Sequence, residues 1–478
     1  MHFNMTYLNF NKFMKDIVSS KPNDKFIAFN TSIAKIDNNN YIYAVRYSWS
    51  PDILKLVPGN DEKCEKTFEI GINYWWNHWN SVIRKFDNFT LFFIGNYEKN
   101  NIKPLKIISS VKYKHNILKE IGKNEFSNSI QDNDLRIINM NNQIYLHDSD
   151  LKNIYICKLI DENNYLEISN EFSADYVRGK NFGILNMYEK KILNDTELFF
   201  RFTDWFYESG KKGAGVYLYD VPLDKELIFS GATVNQIVIK YENEYILSGK
   251  GSTFTENLED IKLYGKNYGI MPLFSFGTPH VKYTSKKFGE CFLGVGHIKI
   301  HSDDDKYIYK QNSNIQNFRN NLYQDLKNQF GDKYIRHMGT GKAPDCYGYI
   351  YMMYFYLINN DLNKMILSDS FLPVDLDEKL EYRFSLIFPM GLTKKDEQNV
   401  LISGGEGDYY SIQMEFNIEE IENLCIHNVQ KTDLNNYGYK FIVKKNKQVI
   451  VDDSFEKIIA KIKQTGGNKM KKYKLILI

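Results

Sequence analysis

The sequence predicts an all-β protein, a five-bladed β-propeller with helical insertions and a small C-terminal α+β appendage. Three observations predict it. A two-strand phrase occurs five times, each copy running from a polar or turn-forming lead-in through a hydrophobic strand and a polar turn to a second, aromatic-rich strand. The composition suits strands, since 43% of the 478 residues are hydrophobic and 35 are Tyr and 32 Phe, types that pack well on a pleated surface. No Gly/Ser-rich or Pro-rich break interrupts the strand signals, and the chain has only 10 Pro. Residues 1–430 therefore read as one propeller domain.

The elements follow in order. Residues 1 to 25 suggest a short helix and a closing strand. The first copy of the phrase is Asn30-Thr31-Ser32-Ile33, a turn from Asp37 to Asn40, then the strand from Tyr41 to Tyr47. The second runs from Asp134-Leu135-Arg136 through Asn141-Asn142 to Ile144-Tyr145-Leu146. The third joins Lys180-Asn181-Phe182 to the strand from Leu198 to Phe202, and the fourth joins Gly277-Thr278-Pro279 to Phe292-Leu293-Gly294-Val295. The fifth joins Phe388-Pro389-Met390 to Val400-Leu401-Ile402. A helical insertion is predicted at 313–330. Ser313 can cap it, Ile315, Phe318, Leu322 and Leu326 recur at helical spacing, and Gly331 follows its end. Residues 431–478 read as the appendage. It comprises a strand pair at Tyr439 to Val443 and Gln448 to Val451, a helix at Ser454 to Lys463, and a basic tail.

Charge narrows the function. The net charge is +2, from 61 basic and 59 acidic side chains, which lacks the basic excess of a nucleic-acid binder. The one basic run, Lys461, Lys463, Lys469, Lys471, Lys472 and Lys474, reads as a solvated tail. Five scattered cysteines without a Cys-x-x-Cys pair suggest reduced thiols. Met1 to Thr6 show no charged lead and apolar core, and no stretch approaches the roughly 18 apolar residues of a membrane helix. The expected location is the cytoplasm, with no membrane span.

The chemistry-bearing candidates sit at strand starts. In Asp134-Leu135-Arg136, alternation along a strand would put both charged side chains on one face. The Arg could hold the carboxylate and an anionic substrate group, or the two could form a purely structural ion pair. A positioned carboxyl group is what glycosyl chemistry needs to protonate a leaving oxygen or deprotonate an attacking hydroxyl. The cluster Tyr74-Trp75-Trp76-Asn77-His78-Trp79 offers either a sugar-stacking platform or packing between blades. His297 and His301 lie four apart on an alternating strand, about 13 Å apart at 3.3 Å per residue, too far to share one metal ion. Gly404-Gly405-Glu406-Gly407-Asp408 follows a strand and precedes another, so it reads as a tight hairpin rather than a phosphate loop. No metal and no cofactor are expected.

Taken together, these pieces resemble the five-bladed β-propeller carbohydrate-active superfamily of mannoside phosphorylases, β-1,2-mannosyltransferases and related glycoside hydrolases. Asn30-Thr31-Ser32-Ile33 is similar to its first-blade opening, and Asn133-Asp134-Leu135-Arg136 to its Glu-Asp-Pro-Arg element. Gly179-Lys180-Asn181-Phe182, Gly277-Thr278-Pro279-His280 with Phe292 to His297, and Phe388-Pro389-Met390-Gly391-Leu392 with Leu401 to Asp408 are similar to its later blades, in the family's order. Asn133 departs from the family's acid and Leu135 from its Pro.

The resemblance implies that Asp134 is the general acid or base, with Arg136 beside it. Arg178 and Lys180 would meet phosphate or other anionic oxygens, and His280 and His297 would line the pocket. Asp175, Asp204, Glu406 and Asp408 are the candidates for a second carboxylate, with Asp408 placed among the substrate-binding residues. The expected function is a glycosyltransferase or glycoside phosphorylase using a sugar nucleotide or sugar phosphate. A non-catalytic glycan- or protein-binding propeller and an inverting hydrolase are the alternatives. One acid without a partner suits phosphate chemistry, which needs cations more than a second base.

Overall fold

The computed structural model describes residues 3–10, 13, 26–49, 88–98, 101–107, 110–113, 129–130, 134–149, 154–160, 165–172, 181–192, 195–207, 214–222, 234–240, 274–301, 349–375, 377–378, 386–407, 410–428, 439–445 and 448–452. These residues form an all-β protein with one short helix, α1 (Ile418–Leu424). The predicted helices at 313–330 and 454–463 and the Trp75-Trp76-Trp79 cluster lie outside the described residues.

The strands form five sheets, each containing one of the predicted two-strand phrases as an antiparallel hairpin. The first sheet meanders through Phe26–Lys35, Asn40–Trp49, Asn88–Glu98 and Asn101–Ile107, with Ser129–Ile130 added beside the third of these. The second meanders through Arg136–Met140, Gln143–His147, Ile154–Ile160 and Tyr165–Phe172, with Ser110–Tyr113 parallel on its edge. The third comprises Gly183–Ile192, Asp195–Tyr207, Ala214–Pro222 and Val234–Lys240. The fourth is built on the long strand Gly289–His301, which pairs with Phe274–Ser275, Val281–Ser285 and Tyr349–Asn359. The fifth comprises Ile387–Lys394, Asn399–Glu406 and Tyr410–Asn417.

Two chain ends complete these sheets. Phe3–Leu8, the closing strand expected near the N-terminus, pairs antiparallel with Tyr410–Asn417 on the outside of the fifth sheet. Tyr439–Lys445 pairs parallel with Ser370–Asp375 and turns back into Gln448–Asp452, so the predicted C-terminal strand pair extends the fourth sheet. Lys444 and Lys440 fix it electrostatically, through Asp375 at 3.0 Å and Asp369 at 3.2 Å.

Local chemistry explains the hairpins. In the first, the Asp37 side chain accepts hydrogen bonds from the backbone N–H groups of Asn39 and Asn40, each at 2.9 Å. In the fifth, Asp396 does the same for Gln398 and Asn399, each at 2.8 Å. An Asp side chain thus caps the turn from within, as short acidic residues do. In the second, Asn141 and Asn142 both take positive φ, 54° and 62°, the pattern that matches a two-residue turn to strand twist. Helix α1 adds to the predicted elements, and its signal is legible in the sequence. The Asn417 side chain caps the Glu420 N–H, and Glu419 and Glu420 fill the first turn.

Apolar layers lie between neighbouring sheets. Ala34, Ile42, Phe92 and Ile94 of the first pack on Ile137, Leu146, Cys157 and Ile168 of the second. Ile138 and Tyr145 of the second meet Phe182, Phe200 and Phe202 of the third. Leu185 of the third meets Phe292 of the fourth, and Tyr351 of the fourth meets Phe388 and Met390 of the fifth. Leu401 of the fifth packs with Ile33 and Tyr43 of the first. Cys157, Cys291 and Cys425 are buried free thiols.

Candidate functional site

The site is assembled from the lead-in residues of the sheets. Asn30, Asp134 and Asn181 lead the first, second and third, and all three take left-handed backbone conformations, with φ of 49°, 55° and 63°. Short polar side chains tolerate this region best. At Asn30 the first hairpin carries a bulge between Phe29 and Thr31, which admits an extra residue and turns its side chain out of the ladder. The fifth sheet makes room for it. A Cβ on Gly405 would lie 2.1 Å from Asn30 Oδ1, so any larger residue there would displace the Asn30 side chain.

The result is a held carboxylate. Asp134 Oδ1 accepts hydrogen bonds from Asn30 Nδ2 and from Arg46 Nη1, each at 3.0 Å. Oδ2 accepts from no described residue, and the Asp134 side chain keeps 18% of its surface exposed. Arg46, in turn, lies over the Phe29 ring at 4.9 Å. Burial opposes ionisation of Asp134, but the Arg46 guanidinium, the Asn30 amide and the Arg136 guanidinium outweigh it and hold the carboxyl below its usual range. Asp134 is therefore a carboxylate at neutral pH, with one oxygen clamped and the other bound by no described residue.

Arg136 does not play the part expected of it. The direct ion pair to Asp134 comes from Arg46, across the interface with the first sheet. Strand alternation fails here because Asp134 stands ahead of the strand in a left-handed conformation, while Arg136 is the first residue of the strand proper. The Arg136 side chain is 0% exposed and donates to the main-chain oxygens of Gly277 and Asp134 and to Asn181 Oδ1.

His280 is equally committed. Its Nδ1 faces the Ile184 carbonyl at 2.9 Å and its Nε2 faces the Tyr356 hydroxyl at 2.8 Å. The carbonyl can only accept, so Nδ1 carries the proton and Nε2 accepts from Tyr356. Burial pushes this imidazole down to about 4, so it is neutral. His280 thus fastens the third sheet to the fourth, with neither ring nitrogen left for a ligand. Gly183 accommodates it, since a Cβ there would lie 2.7 Å from Thr278 O and 2.8 Å from His280 Cε1.

His297 is buried, stacked on Tyr351 at 5.3 Å and edge-on to Phe388 at 4.8 Å. It sits between the fourth and fifth sheets, on the strand Gly289–His301 that sequence alternation predicts. Glu406 is buried and accepts from the Tyr7 hydroxyl at 2.5 Å. Asp204 lies on the third sheet opposite Tyr217. Arg178, Lys180, Asp175 and Asp408 lie outside the described residues. Among the described residues no three His, Cys, Asp or Glu side chains gather as a metal site, and no helix is long and apolar enough to cross a membrane.

Sequence reasoning missed two groups. Arg46 carried a signal, being a lone cation at the end of the aromatic strand from Tyr41 to Tyr47, where a charge is buried only when paired. His147 carried none. It lies across the second hairpin from Arg136, with Nδ1 2.8 Å from the Asp148 carbonyl, and burial together with the Arg136 charge pushes it down to about 3.

No family model matches the chain, and no curated protein matches it. Among solved structures, it is similar to a β-1,2-mannobiose phosphorylase from Listeria innocua in complex with β-1,2-mannobiose. The identity is 11% over 88% of this chain and 99% of that one, with a TM-score of 0.40. A mannose phosphorylase from Leishmania mexicana in complex with phosphate ion is 9% identical over 85% and 89% of the two chains, with a TM-score of 0.34. A GDP-Man-dependent mannosyltransferase from Leishmania mexicana is 9% identical over 89% and 94%, with a TM-score of 0.33.

Proposed function

We propose that the five sheets are the blades of a β-propeller and that the chain is a glycosyltransferase or glycoside phosphorylase acting on a sugar nucleotide or sugar phosphate, with Asp134 as its acid/base. Three observations support the ring. Each sheet packs on the next, from first to fifth, and the fifth packs on the first. The lead-ins of the second, third and fourth sheets meet at Arg136. The N-terminal strand completes the last sheet in the chain, a way of tying the two ends of a ring together.

The observation that carries the function is the Asp134 carboxylate, with Oδ1 clamped by Asn30 and Arg46 and Oδ2 accepting from no described residue. Because the group rests ionised, its first act is to accept a proton. That suits deprotonation of a sugar hydroxyl as it attacks an activated donor, the transfer direction. In phosphorolysis the same residue starts protonated and gives the proton to the leaving oxygen. Bond making and breaking at the sugar carbon leave negative charge on the donor phosphate, which asks for cations. Arg178 and Lys180 are the residues proposed to meet it.

Replacing Asp134 with Asn keeps the shape and removes the proton acceptor. With nucleotide sugars and sugar phosphates as donors, turnover is expected to fall about 10²- to 10⁴-fold while the protein stays folded. Unchanged turnover removes Asp134 from the mechanism. Glycan binding that is indifferent to this change, with no turnover on any donor, makes the protein a binding module.

A further inference from the structure

Arg136 is a buried cation that the proposed proton transfer does not use. Nε donates to Gly277 O at 2.5 Å, Nη2 to Asn181 Oδ1 at 3.2 Å and Nη1 to Asp134 O at 3.3 Å. These acceptors lead the fourth, third and second sheets. The fifth abuts the same point, since a Cβ on Gly277 would lie 2.6 Å from Pro389 O. Asn181 is itself anchored, its N–H donating to Ser149 O at 2.6 Å. The three donors thus leave one rigid plane in three directions, a geometry open to a guanidinium and closed to an ammonium.

Two of those bonds land on residues in the left-handed region, Asp134 and Asn181. Asp134 is a non-glycine residue at φ 55°, a conformation that costs free energy even for an Asp and that its surroundings must help to hold. That conformation points the carboxylate away from its own strand and at Asn30 and Arg46. We propose that Arg136 is a positioning residue, which locks the left-handed main chain of Asp134 against the lead-ins of the third and fourth sheets and so aims the carboxylate at Arg46 and the substrate. The inference rests on the reading of Asp134 given above. It assigns Arg136 no contact with substrate.

The test uses the full chain and needs no substrate. Asp134 is labelled with a water-soluble carbodiimide and glycine ethyl ester across pH, and its peptide is followed by mass spectrometry in wild type, Arg136→Lys and Asn181→Gly. Lys keeps the positive charge and loses the three-way reach. Gly keeps the left-handed backbone and removes one acceptor. The expected result is an upward shift of the Asp134 labelling midpoint in Arg136→Lys, with several-fold more labelling at a fixed pH above the wild-type midpoint. Asn181→Gly shifts it less, in the same direction. A folded Arg136→Lys variant with the wild-type midpoint overturns the proposal, because charge alone would then suffice. Should Arg136→Lys fail to fold, an unchanged midpoint in Asn181→Gly overturns it instead. Unchanged midpoints leave the enzymatic reading of Asp134 standing, and failed turnover tests on Asp134→Asn leave a shifted midpoint standing.

Discussion

The lead-ins of the second and fourth sheets carry two chemically suggestive side chains, Asp134 and His280, and use them in opposite ways. Asp134 has one oxygen bound and one that no described residue bonds, with 18% of its side chain exposed. His280 has both nitrogens consumed by Ile184 and Tyr356 and is 5% exposed. The difference teaches that position at a strand start does not make a functional group. What matters is whether any bonding capacity is left once the protein has satisfied its own buried polar atoms.

Breaking the clamp on Asp134 has the largest expected effect. Arg46→Met leaves a carboxylate mostly enclosed and without its ion partner, which costs about 3–5 kcal/mol of stability. Urea unfolding measures it, and adding Asp134→Asn in the same chain should recover much of the loss. A cost under about 1 kcal/mol would place the pair with ordinary surface ion pairs.

His280→Ala comes next. It removes the side-chain hydrogen bonds to the Ile184 carbonyl and from the Tyr356 hydroxyl, which costs about 2–3 kcal/mol. Turnover measured well below the melting temperature should be unchanged. A selective loss of turnover would return His280 to the substrate pocket.

The pH dependence sharpens the contrast with the smallest signal. His280 is held at about 4 from an ordinary 6.5 by burial. Between those values the unfolded chain takes up a proton that the folded protein refuses, so stability falls as pH drops from 6.5 towards 4. Asp134 is also depressed, from 3.8, where burial is outweighed by Arg46 and Asn30. Its stabilisation is present above the unfolded value and is lost only as pH falls through the lower folded one. Unfolding midpoints between pH 7 and 4.5 should fall less in His280→Ala than in wild type. Equal slopes would assign the fall to other groups, His147, held at about 3, among them.

Much of the framework was legible in the residues. Asp37 and Asn141-Asn142 announce their turns because an Asp side chain or a left-handed Asn pair closes a hairpin without help from the rest of the chain. The strand at Phe3–Leu8 was legible as a strand that closes something. Its partner, Tyr410–Asn417, lies some four hundred positions away and could not be read from local pattern. The same holds for Tyr439–Lys445, which the sequence sets apart and the fold adds to the fourth sheet. Arg136 shows the limit most sharply. Spacing pairs it with the Asp134 carboxylate, and a single left-handed residue redirects it to three lead-ins.

By itself, then, the sequence determined the strands, their turns and which residues stand at their starts, because period-two alternation and turn chemistry act over a few residues. Only the tertiary structure decided which of those starts meet, that Arg46 rather than Arg136 clamps Asp134, and that His280 is used up as a fastening. The reason is that a buried polar atom's role is set by whichever partners are brought within about 3 Å of it, and those partners come from other sheets.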